Sequence, residues 1–301
     1  MDPHLLRTFV TVVELRSFSA AARRLGYTQS AVSQHIAALE ADLGTRLVER
    51  RPVAPTAAGE RLGEHAGPLL LRLDAARADL ARLDRTRPGS LTVAASPAAL
   101  TPALVRALAP HGDGSPGPVV TLRVRGREAV VREVMTGAAD LGLVDGTAAP
   151  SDPLPLPDTG PLRTVGVAEE PLGVLFPADH PLAGRAAVRL PDLADAHWID
   201  APDTAAPLEQ LRAVSRAEGF RPRLRYTGAD LRGLGLLVAA GHGLAALPVP
   251  VAAGLADTVV VPVTVPVLVH RTEALHPRGP APAVEGVLAA LARARGGAPR
   301  V

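Results

Sequence analysis

Thr28, Gln29, Ser30, Ser33 and Gln34 form a cluster of short amide and hydroxyl side chains near the start of the chain. Read with a helical period, Gln29, Ser30, Ser33 and Gln34 share one face, while Val32, Ile36, Leu39 and Leu43 share another. Uncharged side chains of this kind both donate to and accept from base edges in the major groove of a duplex. An ordinary solvated helix face more often carries Glu, Lys or Arg, so this one reads as a nucleic-acid contact. A polar surface helix with no partner is the competing reading. Further on, Arg46 to Pro55 contains two short extended pieces around Arg50 and Arg51. Such a wing places arginines where they reach phosphates or a narrow minor groove. Arginines that merely solubilise a surface turn are the alternative.

A second set of candidates follows the predicted strands of the C-terminal part, since ligands in open α/β sheets sit beyond the carboxyl ends of strands. These are Ser96 after the first strand, Arg125 and Arg127 after the second, and Thr147 after the third. Asp200 and Thr204 follow Trp198-Ile199, and Thr227 follows Tyr226. Ser96 and Thr204 are expected at helix starts, where a hydroxyl and free N–H groups suit a carboxylate. Each can equally be a plain N-cap. Arg127 can clamp an anion or lie solvated, and Asp200 prefers an amine or hydroxyl. The sign of the ligand's charge stays open at this level.

Other chemistry has no residues to carry it. Cysteine is absent, which excludes disulfides, cysteine-ligated zinc and a thiol nucleophile. Lysine is absent too, so all 32 basic residues are Arg, and Schiff-base and P-loop chemistry are excluded. The nine His residues form no H-E-x-x-H and no pair at i, i+4. Gly112 to Gly117 fits G-x-G-x-x-G but precedes a strand and contains Pro116, so it reads as a loop. Gly241-His242-Gly243 reads as a helix stop before a strand. No G-x-S-x-G elbow occurs. Neither a catalytic set, a metal site nor a cofactor is expected.

The elements that position these residues follow from periodicity and punctuation. Helices are expected over His4–Leu15, from Ser17 or Ser19 to Leu25 with a stop at Gly26, and over Gln29–Leu43 behind a Thr28 cap. Two helices joined by a short Gly-containing turn describe a helix-turn-helix. From Leu62 the residues Leu62, Ala66, Leu69, Leu73, Ala76, Leu80 and Leu83 alternate in steps of four and three, an a/d seam interrupted only by Pro68, which can kink the helix. A lone helix of ~30 residues is marginal in water, so this stripe should be buried. A second copy is the simplest cover, and the chain's own C-terminal domain is the other. Beyond residue 89, strands at 91–95, 119–124 and 140–144 alternate with helices at 97–108 and 128–135. A second series starts near Thr164, with a strand at 172–176, a helix at 207–218, a strand at 223–226, a helix at 230–240 and a strand at 244–247. A strand at 259–269 and a helix at about 282–295 close the chain. That alternation argues for parallel βαβ units in two lobes with a cleft between them.

The 301 residues suit about two domains, and 47 % apolar composition provides a large core. Net charge is only +2, but 13 arginines against 10 acids lie in residues 1–88, against 19 and 20 in residues 89–301. The positive balance sits at the end expected to meet a polyanion. Met1 to Leu15 lacks the apolar core of a signal peptide. The apolar stretch Gly233 to Val269 is broken by Pro248, Pro250, Pro262 and Pro266, which fits short buried segments and not a membrane span.

The run Phe18-Ser19-Ala20-Ala21-Ala22-Arg23-Arg24-Leu25-Gly26-Tyr27-Thr28-Gln29-Ser30-Ala31-Val32-Ser33-Gln34-His35-Ile36, with Leu39-Glu40, Leu43-Gly44 and Thr56-Ala57-Ala58-Gly59-Glu60, resembles the LysR-type transcriptional regulators. The match is dense over residues 5–62 and looser, though consistent in order and length, over 89–301. Val48 stands where the family often has Phe, and the wing is compact. The resemblance implies an N-terminal winged helix-turn-helix (1–58), a linker and dimerisation helix (59–88) and a two-lobed, periplasmic-binding-protein-like α/β effector domain (89–301). Lobe I would comprise 89–162 and 266–301, and lobe II 163–265. It implies a cytoplasmic regulator and not an enzyme. Its expected partners are double-stranded promoter DNA with dyad symmetry, a small-molecule effector, a second copy in a dimer or tetramer, and RNA polymerase, with no membrane. On this reading Gln29, Ser33 and Gln34 read bases, while Thr28, Ser30, Arg50 and Arg51 hold phosphates or the minor groove. The competing functions are a solute-binding protein with a non-DNA-binding helical extension, and an α/β enzyme with a dimerisation arm.

Overall fold

A computed structural model describes residues 1–83, 89–109, 117–156 and 162–296; of residues 82, 83 and 296 it describes the backbone alone. The chain divides into two compact units, Met1–Leu80 and Ala81–Val301.

The first unit is built on three short helices, α1 (Pro3–Leu15), α2 (Phe18–Leu25) and α3 (Gln29–Leu43). Each start is capped by a side-chain oxygen. Asp2 accepts from His4 N–H at 2.7 Å, Ser17 from Ala20 N–H at 3.2 Å, and Thr28 from Ala31 N–H at 3.2 Å. Of the two expected caps for α2, Ser17 is the one used. The helices bury Leu6, Phe9, Val12, Ala21, Ala22, Val32, Ile36 and Leu39 in one core. A two-stranded antiparallel wing follows, β1 (Val48–Arg50) against β2 (Val53–Pro55). Glu40 anchors its base, accepting from Leu47 N–H at 2.8 Å and Val48 N–H at 3.2 Å. Then α4 (Ala57–Leu83) begins, its start capped by Thr56, which accepts from Gly59 N–H at 3.1 Å.

The apolar stripe on α4 divides. Ala66 is buried and Leu62 packs beside it in the core of their own unit, together with Leu70, which the a/d reading left out. Leu69, Leu73, Ala76 and Leu80 stay exposed. The exposed part of the stripe therefore begins at Leu69, because Leu62, Ala66 and Leu70, over the first four turns of α4, close the helix-turn-helix core. The side chain of Leu83 lies outside the described residues.

The second unit holds an eight-stranded sheet. Its strands are β3 (Ser90–Ala95), β4 (Val119–Val124), β5 (Leu141–Ala148), β6 (Arg163–Pro177), β7 (Val188–Arg189), β10 (Ala245–Pro248), β11 (Thr258–Val265) and β12 (Val269–His276). The order is β4-β3-β5-β12-β6-β11-β7, with β10 also on β6. Strands β3, β4 and β5 are parallel, as the alternation predicts, and β12 runs antiparallel to both β5 and β6. A small parallel sheet joins β8 (Trp198–Asp200) and β9 (Pro222–Arg225). The helices are α5 (Pro102–Ala107), α6 (Arg127–Met135), α7 (Leu208–Ser215), α8 (Leu231–Ala239), α9 (Val249–Ala252) and α10 (Pro282–Gly296).

The two lobes share β6. Its residues 163–171 pair with β12, and residues 172–177 pair with β10 and β11. The change of lobe expected at 162/163 thus falls inside β6, near Pro171. One lobe packs β3, β5, α5 and α10 around Val93, Leu104, Leu141, Leu143 and Leu291. The other has a core of Phe176, Trp198, Leu211 and Phe220, and a second of Leu175, Ile199, Leu234, Val238 and Leu247.

Three further expectations change. The helix expected at 97–108 is a 3-10 turn, Pro97–Ala99, followed by α5, because Thr101 is held extended before Pro102 and caps the new helix. The strand expected at 140–144 runs on to Ala148, extended by pairing with β12. The strand expected at 259–269 breaks after Val265 at Pro266, and β12, unforeseen, extends to His276. Gly241-His242-Gly243 does separate α8 from β10. Residues 112–116 of the other glycine pattern lie outside the described residues. No helix among those described is long and apolar enough to cross a membrane.

Candidate recognition face and effector pocket

On α3, Gln29, Ser30 and Gln34 are exposed and Ser33 is half-buried, while Val32 and Ile36 are buried. Thr28 is exposed as well, but its hydroxyl is engaged as the helix cap and meets the Ser30 hydroxyl at 3.0 Å. Gln29 and Gln34 are thus the long amides free to reach outward. His35, which from its place on the recognition helix would be expected to meet DNA or solvent, instead helps fix this helix. The Nδ1 of His35 lies 3.1 Å from the Thr8 hydroxyl of α1, and its ring meets Tyr27 edge-on at 5.1 Å between centroids. Arg50 and Arg51 are both exposed. The Arg50 guanidinium stands over the Phe18 ring at 5.7 Å, so the wing is tied to the start of α2 by a cation–π contact.

In the second unit, a shallow pocket with room for about one water lies where the two lobes face each other. Three of the seven effector-site candidates meet there, namely Arg127, Thr147 and Thr204. Asp145, Gly146 and His270 complete its polar side. Ser96 stands behind it, with its hydroxyl donating to Leu143 O at 3.2 Å and accepting from Asp145 N–H at 3.0 Å. That hydroxyl makes no cap hydrogen bond. Thr204 sits in a turn and not at a helix start, since α7 begins only at Leu208. Asp200 and Thr227 fall outside the pocket lining. Asp200 pairs with Arg225 at 3.2 Å, and Thr227 is exposed. Arg125 is held by Glu133 at 3.1 Å. Thr204, which follows the same strand as Asp200, does reach the pocket, whereas the Asp200 carboxylate is spent on Arg225.

Asp145 and His270 were not among the candidates. Asp145 directly follows the expected end of the third strand, so the rule that selected Thr147 could have found it. His270 lies on β12, which carried no signal of its own. The Asp145 carboxylate meets His270 Nε2 at 2.8 Å. Burial alone would push the Asp145 carboxyl up. The hydrogen bond and charge of His270, with help from Ser96 and Arg127, outweigh burial and hold it below the ordinary carboxylate value. Glu170 goes the other way: burial raises it, the charge of His270 only partly opposes this, and Asp145 adds to the rise.

Two contacts close the cleft. The Gln210 side-chain amide donates to Thr147 O from the opposite lobe. The Asp203 carboxylate lies against Gly126 at the start of α6, where an added Cβ would come 2.0 Å from Oδ1. Several buried polar atoms beside the pocket have no hydrogen-bond partner among the described residues: Arg127 Nε, Thr147 Oγ1, His270 Nδ1 and Glu170 Oε2.

Comparison with known proteins agrees with this division. The family model described as bacterial regulatory helix-turn-helix protein, lysR family, matches residues 3–60, and that of the LysR substrate binding domain matches 84–296. A probable hydrogen peroxide-inducible genes activator of Mycobacterium avium is 34% identical over 251 residues, covering 81% of this chain and 76% of its own length. The regulator CysL of Bacillus subtilis (strain 168) is 28% identical over 245 residues, 81% of this chain and 79% of its own. Full-length CbnR, solved in complex with target DNA, shares the fold with a TM-score of 0.51 at 23% identity, over 97% of this chain and 99% of that one. The chain belongs to the LysR family of bacterial regulatory helix-turn-helix proteins, as a DNA-binding transcriptional regulator with an effector-binding domain.

Proposed function

We propose that this regulator reads a dyad-symmetric promoter site through α3, one copy per half-site, and answers a small molecule bound between its lobes. The observation that carries the reading is the exposed face of Gln29, Ser30, Ser33 and Gln34 on a helix held from behind by a packed core. Gln29 and Gln34 read base edges, with Ser33 beneath them. Thr28 and Ser30 lie at the α3 N-terminus, which suits a phosphate, and Arg50 and Arg51 reach the backbone or minor groove. Leu69, Leu73 and Leu80 pair with a second copy, Leu83 continues the stripe, and Leu62 serves its own core. Boundaries at 1–58, 59–88 and 89–301 follow. The relatives are named as regulators, which supports action by binding and not by turnover, and a DNA partner supports a cytoplasmic location. The match of residues 3–60 to a regulatory helix-turn-helix weighs against a solute-binding protein with an idle extension. The peroxide response in the name of the Mycobacterium avium relative cannot run through a thiol in this chain, which has no cysteine.

Selection of bound duplexes from a random-sequence pool tests the reading. The expected result is an inverted repeat with half-sites spaced by whole helical turns, about 10.5 base pairs or a multiple. Gln29→Ala and Gln34→Ala should each cost ~1–3 kcal/mol at one position per half-site. Recovery of no preferred sequence, or variants with unchanged preference, would reject the assignment.

A further inference from the structure

The lobes are joined by two strand passages, one within β6 near Pro171 and one from the end of β11 at Val265 to the start of β12 at Val269. Two such crossings form a hinge. The pocket between the lobes has room for about one water, so a metabolite enters it only when the lobes part. Parting them breaks two contacts. Gln210 stands on α7, whose Leu211 is fixed in the core of one lobe, and its side-chain amide donates to Thr147 O near the end of β5 in the other. The Asp203 carboxylate, in the turn after β8, lies against Gly126, the N-cap of α6, which has no side chain with which to cap that helix. A negative charge is favourable there.

Other groups work against closure. Arg127 Nε, Thr147 Oγ1 and His270 Nδ1 belong to residues that line the pocket, and each is buried without a hydrogen-bond partner among the described residues. Glu170, opposite His270 in the β6–β12 register, adds a carboxylate oxygen in the same condition. This set holds donors and acceptors alike, so it selects no one charge of ligand. Water satisfies them all once it can reach them, which favours the open form. Contacts that close the cleft and groups that favour its opening together make a two-state element.

Resting on the reading of this unit as an effector-binding domain, we propose that Gln210 is a latch that holds the lobes shut in the free chain, with Asp203 as its second point of hold. An effector then binds only the unlatched fraction, and its apparent affinity falls in proportion to that fraction. The latch therefore sets the effector concentration at which the domain answers, without Gln210 having to touch the effector.

The absence of cysteine makes a direct test possible, because an introduced thiol is the only one in the chain. Thr147→Cys places it on the pocket lining, at a residue 1% exposed, and Ala107→Cys places it in the core of one lobe, at a residue 5% exposed. In the full chain, the rate of alkylation by iodoacetamide follows the fraction in which each thiol is uncovered. Gln210→Ala should raise the Thr147→Cys rate about 2- to 12-fold, the worth of one hydrogen bond, and leave the Ala107→Cys rate unchanged. Gln210→Glu, equal in size but without the donor, should raise it at least as much. Gly126→Ala, whose Cβ would come 2.0 Å from Asp203 Oδ1, should raise it too, and an unchanged rate there would remove Asp203 from the latch. Equal Thr147→Cys rates with and without the two Gln210 substitutions would overturn the proposal. So would an equal rise at Ala107→Cys, which would make Gln210 a plain stabiliser of the fold. Retardation of the selected operator DNA is followed in parallel. A chain that retards it but shows no Gln210 effect sinks this inference alone, while one that retards no DNA sinks the regulator reading on which it rests.

Discussion

The face of α3 and the pocket beside α6 draw their parts from very different spans of chain. Gln29 to Gln34 is about one and a half turns of a single helix, with Gln29, Ser30 and Gln34 exposed to solvent. The pocket gathers residues from 127, 145–147, 204–206, 246–248 and 270, and it leaves buried donors unmatched. Among the described residues, all six buried side-chain nitrogen and oxygen atoms without a partner belong to the second unit. An exposed reading face keeps water on every group until a duplex replaces it, so it costs the free protein little. A buried pocket holds its groups desolvated at all times, so its empty state is unfavourable and a matching ligand gains the difference. One surface is thus suited to discriminate among many similar sites, the other to respond to a single occupant.

Breaking the buried pair should expose this contrast most strongly. His270→Ala leaves the Asp145 carboxylate, only 15% exposed, without its closest partner. The expected loss is about 3 kcal/mol or more in the stability of the second unit, read from its urea midpoint. Gln34→Ala on the exposed face should stay within about 0.5 kcal/mol. Equal and small effects in both variants would mean that the pair is no more confined than the recognition face.

The two sites were also unequally legible in the sequence. Caps at Thr28 and Gly26, and the Val32–Ile36–Leu39 stripe, are local signals, and α3 falls at Gln29–Leu43 as they predict. Arg127 and Thr147 were found because they come just after the strands expected at 119–124 and 140–144, and Thr204 because it follows β8. Asp200 obeys the same local rule but is taken by Arg225, and Thr227 is exposed beyond the end of β9, outcomes that no local pattern distinguishes. His270 required β12, whose burial comes from pairing on both edges with distant strands, and such a strand shows no alternation of its own. The heptad on α4 was read correctly as apolar. Its period could not tell that Leu62 and Ala66 would be taken by the chain's own core.

That division of α4 gives the next effect in size. Leu73→Glu and Leu80→Glu, at side chains 38% and 66% exposed, should each weaken self-association by about 1.5–3 kcal/mol, measured by sedimentation equilibrium, while the first unit melts unchanged. Leu62→Glu should do the reverse, lowering the melting point of the first unit. Dissociation by Leu62→Glu without loss of stability would put the seam back where the heptad alone placed it.

Within the recognition face, Thr28 and Gln29 are neighbours with different duties. The Thr28 hydroxyl caps α3, so Thr28→Ala should cost about 1 kcal/mol of stability and weaken all operators alike. Gln29→Ala should spare stability and alter preference at one position. A shift in base preference in Thr28→Ala would show that the hydroxyl leaves its cap to meet DNA.

The smallest effect is one of pH, and only the pocket should show it. The Asp145 value is lower in the folded chain than its usual 3.8, so the ionised form is bound more favourably by the fold. Its contribution is complete above about pH 4 and is lost as the pH falls through the folded value, below 3.8. Glu170 is raised above 4.5, so the fold favours its protonated form. Its contribution is complete below 4.5 and is lost as the pH rises through the folded value. Urea midpoints taken as differences from wild type separate the two, since all other groups cancel. Asp145→Asn should flatten the acid limb, and Glu170→Gln should remove a decline just above pH 4.5. An acid limb unchanged in Asp145→Asn would mean that other carboxylates set it, and that His270, Ser96 and Arg127 together do not outweigh the burial of Asp145.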